Sequence, residues 1–395
     1  MLWRLQRSPA EGSRGLLAIG LSLVFVLVAS ATICAEEVVM TYEEAIARIP
    51  ERELPDWWVG DLDTMRAHLD ELRPDDVREL AVSPGGHPIL LVTYGEHEPT
   101  PRRANFNSAI GSRDESHYVD REARSRPVIL LAGSVHGHEV EGLTGLINLI
   151  SVMETGSDLR GTERPRLREL AGACRLLIIP AGNPDGIARF VPRALQGMEQ
   201  VDLRWWGQGA WTDGTLIGWL GSKTTHPMTE DRVRFLGCYF NDEGINPAHD
   251  EFTAPMGPEA PAILDLAREE APDYAALLHS HETPPLLIRP KYVPLEIQED
   301  VLRLAERTRA LYEQAGLQYS RLFEPEAEAG PNPPALNLTS AVYHVSGAAP
   351  FTFESPHGLV GDERWGEWSF DDLLEVQMLL YEAIFTHALE AKAAG

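Results

Sequence analysis

In Gly133-Ser-Val-His136-Gly-His-Glu139 a histidine and a glutamate stand three residues apart. Where a strand turns into a helix, that spacing aims an imidazole and a carboxylate at one cation; within a strand, even spacing would be needed. His279, in Leu-Leu-His-Ser-His281, and Glu354, in Phe-Thr-Phe-Glu, bring further groups of the same chemistry. Two imidazoles and one carboxylate are a common ligand set for a catalytic zinc, with water in the fourth position. His-x-x-Glu alone is a weak signal, because solvated turns often hold such a pair by chance. His138 reads as structural or solvent-facing. His281 rivals His279 as a ligand, since strand alternation would put both imidazoles on one face.

These residues need elements to carry them, and the chain supplies strands and helices in alternation. Pro88 to Tyr94, Val128 to Leu131, Leu176 to Ile179, Tyr274 to Leu278 and Phe351 to Phe353 are β-rich or short buried apolar runs. Helical patterns cover Val140 to Met153, Glu259 to Glu270 and Ile297 to Ala315, and Ser369 is a good N-cap for a final helix. The stretch from Tyr42 to Leu72 is helix-like but interrupted at Pro55-Asp56-Trp57-Trp58, and Glu96 to Arg126 reads as a polar surface loop. The alternation predicts an α/β fold with a mostly parallel, mixed β-sheet flanked by helices. In such sheets active residues gather at the carboxyl ends of the strands, which is where His136, Glu139, His279 and Glu354 fall.

With 60 acidic against 34 basic residues, the 395-residue chain has a formal charge of −26, which argues against nucleic acid and anionic membrane surfaces as partners. Arg4, Arg7 and Arg14 precede an uncharged run from Gly15 to Cys34, so residues 1–35 read as a signal peptide or, uncleaved, an N-terminal anchor. The protein is therefore expected to be exported, secreted or periplasmic, with membrane contact only through that segment. A helical segment over 36–82 and a catalytic domain over 83–395 follow. Cys174 and Cys238 either pair or stay as buried thiols.

The ordered set His136-Gly-His-Glu139, Asn183-Pro-Asp-Gly186, His279-Ser280, Tyr343-His-Val-Ser-Gly347 and Phe351-Thr-Phe-Glu354 resembles the zinc carboxypeptidase family, the M14 metallopeptidases. The resemblance runs from Ser83 to the final helix. It implies one zinc per chain, held by His136, Glu139 and His279, the family's ligand being the first histidine after the strand. It implies Glu354 as general base and Tyr343 as the tyrosine that hydrogen-bonds the reacting peptide or amide substrate. An arginine after the Asn-Pro-Asp-Gly turn would stabilise the oxyanion. Arg193, Arg204, Arg232 and Arg234 are candidates, and Arg204, before Trp205-Trp206-Gly, has the best neighbourhood. Trp205, Trp206, Trp211 and Trp219 form either a loop folded on the core or an aromatic wall of the cleft.

Two departures from the family pattern bear on substrate. Asn241 matches the asparagine of the pair that grips a terminal carboxylate, but Asp242 stands where its arginine should be, and an acceptor-only group would repel a carboxylate. Arg289 or Arg234 could supply the cation instead. Tyr343 also lies only 11 residues before Glu354, a shorter stretch than the family's. Alternatives to a metallocarboxypeptidase are a zinc amidohydrolase acting on an acyl-amide or peptidoglycan linkage, and an inactive binding protein; the intact His136, Glu139, His279 and Glu354 count against the last.

Overall fold

The five apolar runs read from the sequence become five strands of one seven-stranded sheet. The structure, a computed structural model, describes residues 38–229, 231–326 and 335–394; the expected targeting segment, 1–35, lies outside them. In chain order the strands are β1 (Val77–Val82), β2 (Pro88–Tyr94), β3 (Val128–Gly133), β4 (Arg175–Ile179), β5 (Gly209–Trp211), β6 (Val233–Leu236), β7 (Tyr274–His281), β8 (Leu286–Ile288) and β9 (Ala349–Pro356). The sheet runs β1-β2-β4-β3-β7-β9-β8, and β5 pairs with β6 in a separate two-stranded ribbon. The middle four, β4-β3-β7-β9, are parallel; β1, β2 and β8 join antiparallel at the flanks.

Parallel strands read as continuous apolar runs because helices cover both of their faces. Alternate residues divide between two cores. Ile129, Leu131, Leu176, Ile178, Ala276 and Leu278 pack on one side with residues of helices Leu62–Leu72, Val140–Thr155, Leu295–Gln314 and Phe370–Ala394. Leu130, Ala132, Leu177, Ile179, Ala275 and Leu277 pack on the other with helices Glu259–Glu270 and Leu338–Ser346. The helix-like opening stretch is two helices, Tyr42–Ala47 and Leu62–Leu72, with Trp57 and Trp58 in the turn between them. Met40, Ala45, Trp58, Leu62 and Met65 join the first core, and Trp58 meets Phe370 at 4.7 Å. The 96–126 loop carries one short helix, Phe106–Gly111, and a 3-10 turn. Cys174 and Cys238 are both buried free thiols.

Register positions the chemistry. On β7 and β9 His279 stands opposite Glu354, and Gly133 at the end of β3 stands opposite Leu278. The loop that follows Gly133 is fixed by its neighbours: Gly137 N donates to the Cys238 carbonyl at 2.7 Å, and Asn183 N to the Ser134 carbonyl at 2.9 Å. At Gly137 two backbones cross so closely that a Cβ would lie 2.1 Å from the Gly186 carbonyl carbon. Gly137→Ala should therefore displace the histidine loop and lower both thermal stability and zinc content. Gly111→Ala, whose Cβ meets nothing within 4 Å, should change neither. Thermal melts and metal analysis of the two variants make the check; equal behaviour would mean the crossing is slack.

Candidate active site

His136 leaves the β3 loop, Glu139 is the N-cap residue of helix Val140–Thr155, and His279 is near the end of β7. All three are buried, and their donor atoms converge. His136 Nδ1 is 2.9 Å and His279 Nδ1 is 2.8 Å from separate oxygens of Glu139, and the two Nδ1 atoms are 3.3 Å apart. Ligands about 2.0–2.2 Å from a tetrahedral zinc sit roughly 3.3–3.5 Å from one another, so the three donors fit that ion with a small outward adjustment. Burial alone would raise the Glu139 carboxyl, but His136 and His279 hold it well below the usual range. His279 is raised because Glu139 outweighs its burial; burial dominates at His136 and lowers it.

Beside the triad lies a cleft of about 430 Å³ lined by Gln200, Arg204, Gln208, Trp219, Tyr239, His281, Glu282 and Glu354 as well as the three donors. Glu354 is half-buried and has no hydrogen-bond or ion-pair partner among the described residues. Burial pushes its carboxyl up to about 8; His279 and His357 oppose the rise, and Glu139 and Glu282 add to it. Arg204 is exposed, lines the cleft and is likewise unpartnered among the described residues. It opens a π-helical turn, Arg204–Gln208, which puts Arg204 and Gln208 on the cleft while Trp205 and Trp206 are fully buried. The tryptophan segment thus divides: Trp205 stacks on Phe235 at 5.1 Å in the core, and Trp219, 55% exposed, forms cleft wall with Lys223 over its ring at 3.7 Å.

The remaining expected residues fall elsewhere. Tyr343 is not at the site. It sits on helix Leu338–Ser346, which leads into the start of β9, and packs edge-on against Phe106 at 5.4 Å. Glu354 lies on the sixth residue of that strand, so about 16 Å of extended chain separates the two ends. Asn241 is fully buried, its amide donating to both Glu259 oxygens at 3.2 and 3.0 Å and its carbonyl accepting from Glu243 N and Ile245 N. It holds its own loop together and is not a lining residue of the cleft. Asp242 is ion-paired with Arg189 and also lies outside the lining, so the expected repulsion of a substrate carboxylate loses its basis. Of the other arginines, Arg193 pairs with Asp61 and Arg289 with Glu326. His281 lines the cleft with its Nε2 3.2 Å from the Pro284 carbonyl and takes no part in the triad. His138 is fully buried, and among the described residues neither ring nitrogen has a hydrogen-bond partner, Nε2 lying 3.9 Å from Glu139 Oε1.

Tyr239 is the residue that sequence reasoning missed. It stacks on His136 at 4.0 Å and lines the cleft, and burial raises its phenol well above the ordinary value, keeping it a neutral donor. Its signal was faint: an aromatic in the loop whose Cys238 and Tyr239 carbonyls face the Asn183 amide of the Asn-Pro-Asp-Gly turn.

Comparison with known proteins finds a family signature and a fold. Residues 65–215 match the zinc carboxypeptidase family model. A metallo-carboxypeptidase from Burkholderia cenocepacia superposes with a TM-score of 0.51 at 16% identity, over 83% of this chain and 69% of that one. Carboxypeptidase A from Helicoverpa armigera aligns over 91% of this chain and 75% of its own at 14% identity, with a TM-score of 0.45; the fold assignment rests on the first. A search of curated protein sequences returned no match. Residues 65–215 thus carry a zinc carboxypeptidase signature, and the fold around them is that of a metallo-carboxypeptidase, with His136, Glu139 and His279 brought together as donors that could hold a metal ion.

Proposed function

We propose that the protein is an exported hydrolase that removes residues from the carboxyl end of peptides, with Glu354 as general base. The observation that carries this reading is Glu354 itself: a half-buried carboxylate with no partner among the described residues, in register with His279 and facing the cleft that the triad shares. Export rests on the basic and apolar character of residues 1–35; among the described residues no helix is long and apolar enough to cross a membrane.

A zinc held by His136, Glu139 and His279 would supply Lewis acidity to the scissile carbonyl and bring the pKa of a water down towards about 7. The rest falls to this chain's own groups. Glu354, whose ionised form a cation held by the triad would favour, takes the proton of the attacking water on a carboxylate oxygen and returns it to the leaving nitrogen. Tyr239, neutral and next to His136, donates a hydrogen bond to the substrate. Arg204 meets negative charge, either on the substrate's terminal carboxylate or on the developing oxyanion. Trp219 gives an apolar wall for the side chain of the residue being released.

Metal dependence is the first test. His136→Ala and His279→Ala should each lose zinc and hydrolysis together, whereas His281→Ala should keep zinc. Retained zinc in His279→Ala with loss in His281→Ala would reverse the ligand choice. Glu354→Gln should keep zinc and substrate affinity while kcat drops by about 10²-fold or more, since the reaction loses its proton acceptor; near-normal turnover removes Glu354 from the mechanism. A peptide library with product masses separates a carboxypeptidase from an amidase.

The Glu354 shift also has a sign that metal-free protein can test. Its folded value, about 8, lies above the ordinary 4.5, so the folded state holds an extra proton between those limits and wild-type stability falls as pH rises through them. Glu354→Gln escapes that loss. In thermal melts of metal-free protein its advantage over wild type should be near zero at pH 4.5, grow to pH 8 and then level off. A constant difference across the range contradicts the buried carboxylate.

Arg204→Met distinguishes the two jobs of the arginine. A charge-assisted bond contributes about 1.5–3 kcal/mol, so a role at the terminal carboxylate predicts a ten- to hundredfold loss of kcat/KM on free peptides and none on amidated ones. Equal loss on both, carried by kcat, assigns it to the oxyanion.

A further inference from the structure

We infer that Glu141 is a positioning residue that sets the spacing between the metal ligands and the base from behind the sheet. Glu141 lies two residues past Glu139 in the first turn of helix Val140–Thr155 and is 1% exposed. Its Oε2 accepts from Ser280 Oγ at 2.7 Å, and its Oε1 accepts from His357 Nδ1 at 3.2 Å. A carboxylate is acceptor-only, which fixes Nδ1 of His357 as the donor. Ser280 follows His279 on β7, and His357 comes directly after the end of β9, three residues past Glu354. One buried carboxylate therefore ties together the three segments that carry Glu139, His279 and Glu354.

Strand alternation turns the Ser280 hydroxyl of this clasp away from the side chains of His279 and Glu354, although Ser280 also lines the cleft. His279 and Glu354 share one face of the sheet, with Leu277 and Thr352 before them. Their neighbours Leu278 and Phe353 belong to the opposite core, with helix Val140–Thr155, and Ser280 points the same way, to Glu141. Among the described residues the carboxylate has no arginine or lysine partner; serine and histidine are its hydrogen-bond partners. For stability alone, an apolar side chain in this space would serve as well or better, because desolvating a charge is costly. What Glu141 adds is geometry: two directional bonds that hold β7 and β9 at a set distance from the helix end bearing Glu139.

The inference rests on the roles proposed for Glu139, His279 and Glu354, and the experiment separates the two. Glu141→Leu, Glu141→Gln and Ser280→Ala are compared with Glu270→Gln, which disturbs a buried carboxylate paired with Arg175 at the start of β4. Zinc affinity by chelator competition, kcat, KM and thermal stability are measured on each. Groups hydrogen-bonded directly to metal ligands typically change metal affinity or activity by about 10- to 100-fold, and Glu141, which acts through the neighbours of the ligands, is expected at the lower end of that range. Glu141→Leu should weaken zinc at least tenfold and lower kcat at least tenfold with KM within about twofold. Glu141→Gln should recover part of both, because its amide oxygen still accepts from Ser280. Ser280→Ala, which removes a single bond, should fall between Glu141→Leu and wild type, and carries the test if Glu141→Leu does not fold. Glu270→Gln should lose stability but keep kcat and zinc. If the Glu141 and Ser280 variants lose only stability, as Glu270→Gln does, Glu141 is merely structural and the inference fails. If wild type itself neither binds zinc nor hydrolyses peptides, the functional reading fails instead.

Discussion

Donor atoms of His136, Glu139 and His279 are held within 4.8 Å of one another in a buried place, and the architecture around them follows from that constraint. One anion and two neutral acceptors cannot crowd together in a low-dielectric place unless positive charge is shared among them or supplied by a cation. No single element can present donors on three sides of one point. A parallel sheet can, because its strands end side by side and each feeds a different loop or helix at the same edge. Here one strand's loop gives His136, the helix after it gives Glu139, the next strand gives His279, and the strand beyond that gives Glu354 in register with it.

The two faces of the sheet divide the labour. On the front, Glu354 and Arg204 have no partners among the described residues and are available to a substrate. On the back, Ser280 Oγ and His357 Nδ1 are both committed to Glu141. The chain's excess of acid gives this division an electrostatic setting: with a formal charge of −26, a carboxylate-bearing ligand is repelled by most of the surface. Arg204, unpartnered among the described residues, and Lys223 over the neighbouring Trp219 are positive groups at the cleft against that background.

The strands and ligands were legible in the sequence because both obey simple rules. Runs such as Val128 to Leu131 and Leu176 to Ile179 are apolar on both faces, which only a covered parallel strand requires, and His136, Glu139, His279 and Glu354 each follow or close such a run. Two of the flanking strands, β1 and β8, were not legible. β1 (Val77–Val82) carries Arg78 and Glu79 and is mostly exposed, and β8 has three residues, so neither builds an apolar run. The ribbon of β5 and β6 is equally short. The resemblance led to residues that the structure brings together at His136, Glu139 and His279, and to residues that lie away from the cleft at Tyr343 and Asn241.

Those two misplacements have a common physical origin. A motif records which side chains recur, and buried structural polar groups recur for reasons of their own. Asn241 lies in a tight loop whose Glu243 and Ile245 amides need an acceptor, and its amide satisfies Glu259, so the fold alone demands an asparagine there. Asp185 of the Asn-Pro-Asp-Gly turn does similar work, accepting from Gly85 N and Asp242 N at 3.0 Å each. For Tyr343 the topology decides. A helix that ends at Gly347 with a left-handed turn and enters β9 at Ala349 delivers its side chains to the amino end of the sheet, a strand's length from the metal ligands. Residues on the carboxyl-end loops are the ones that can reach a substrate, and Tyr239, on the loop that Gly137 N clips at Cys238, satisfies that condition where Tyr343 does not.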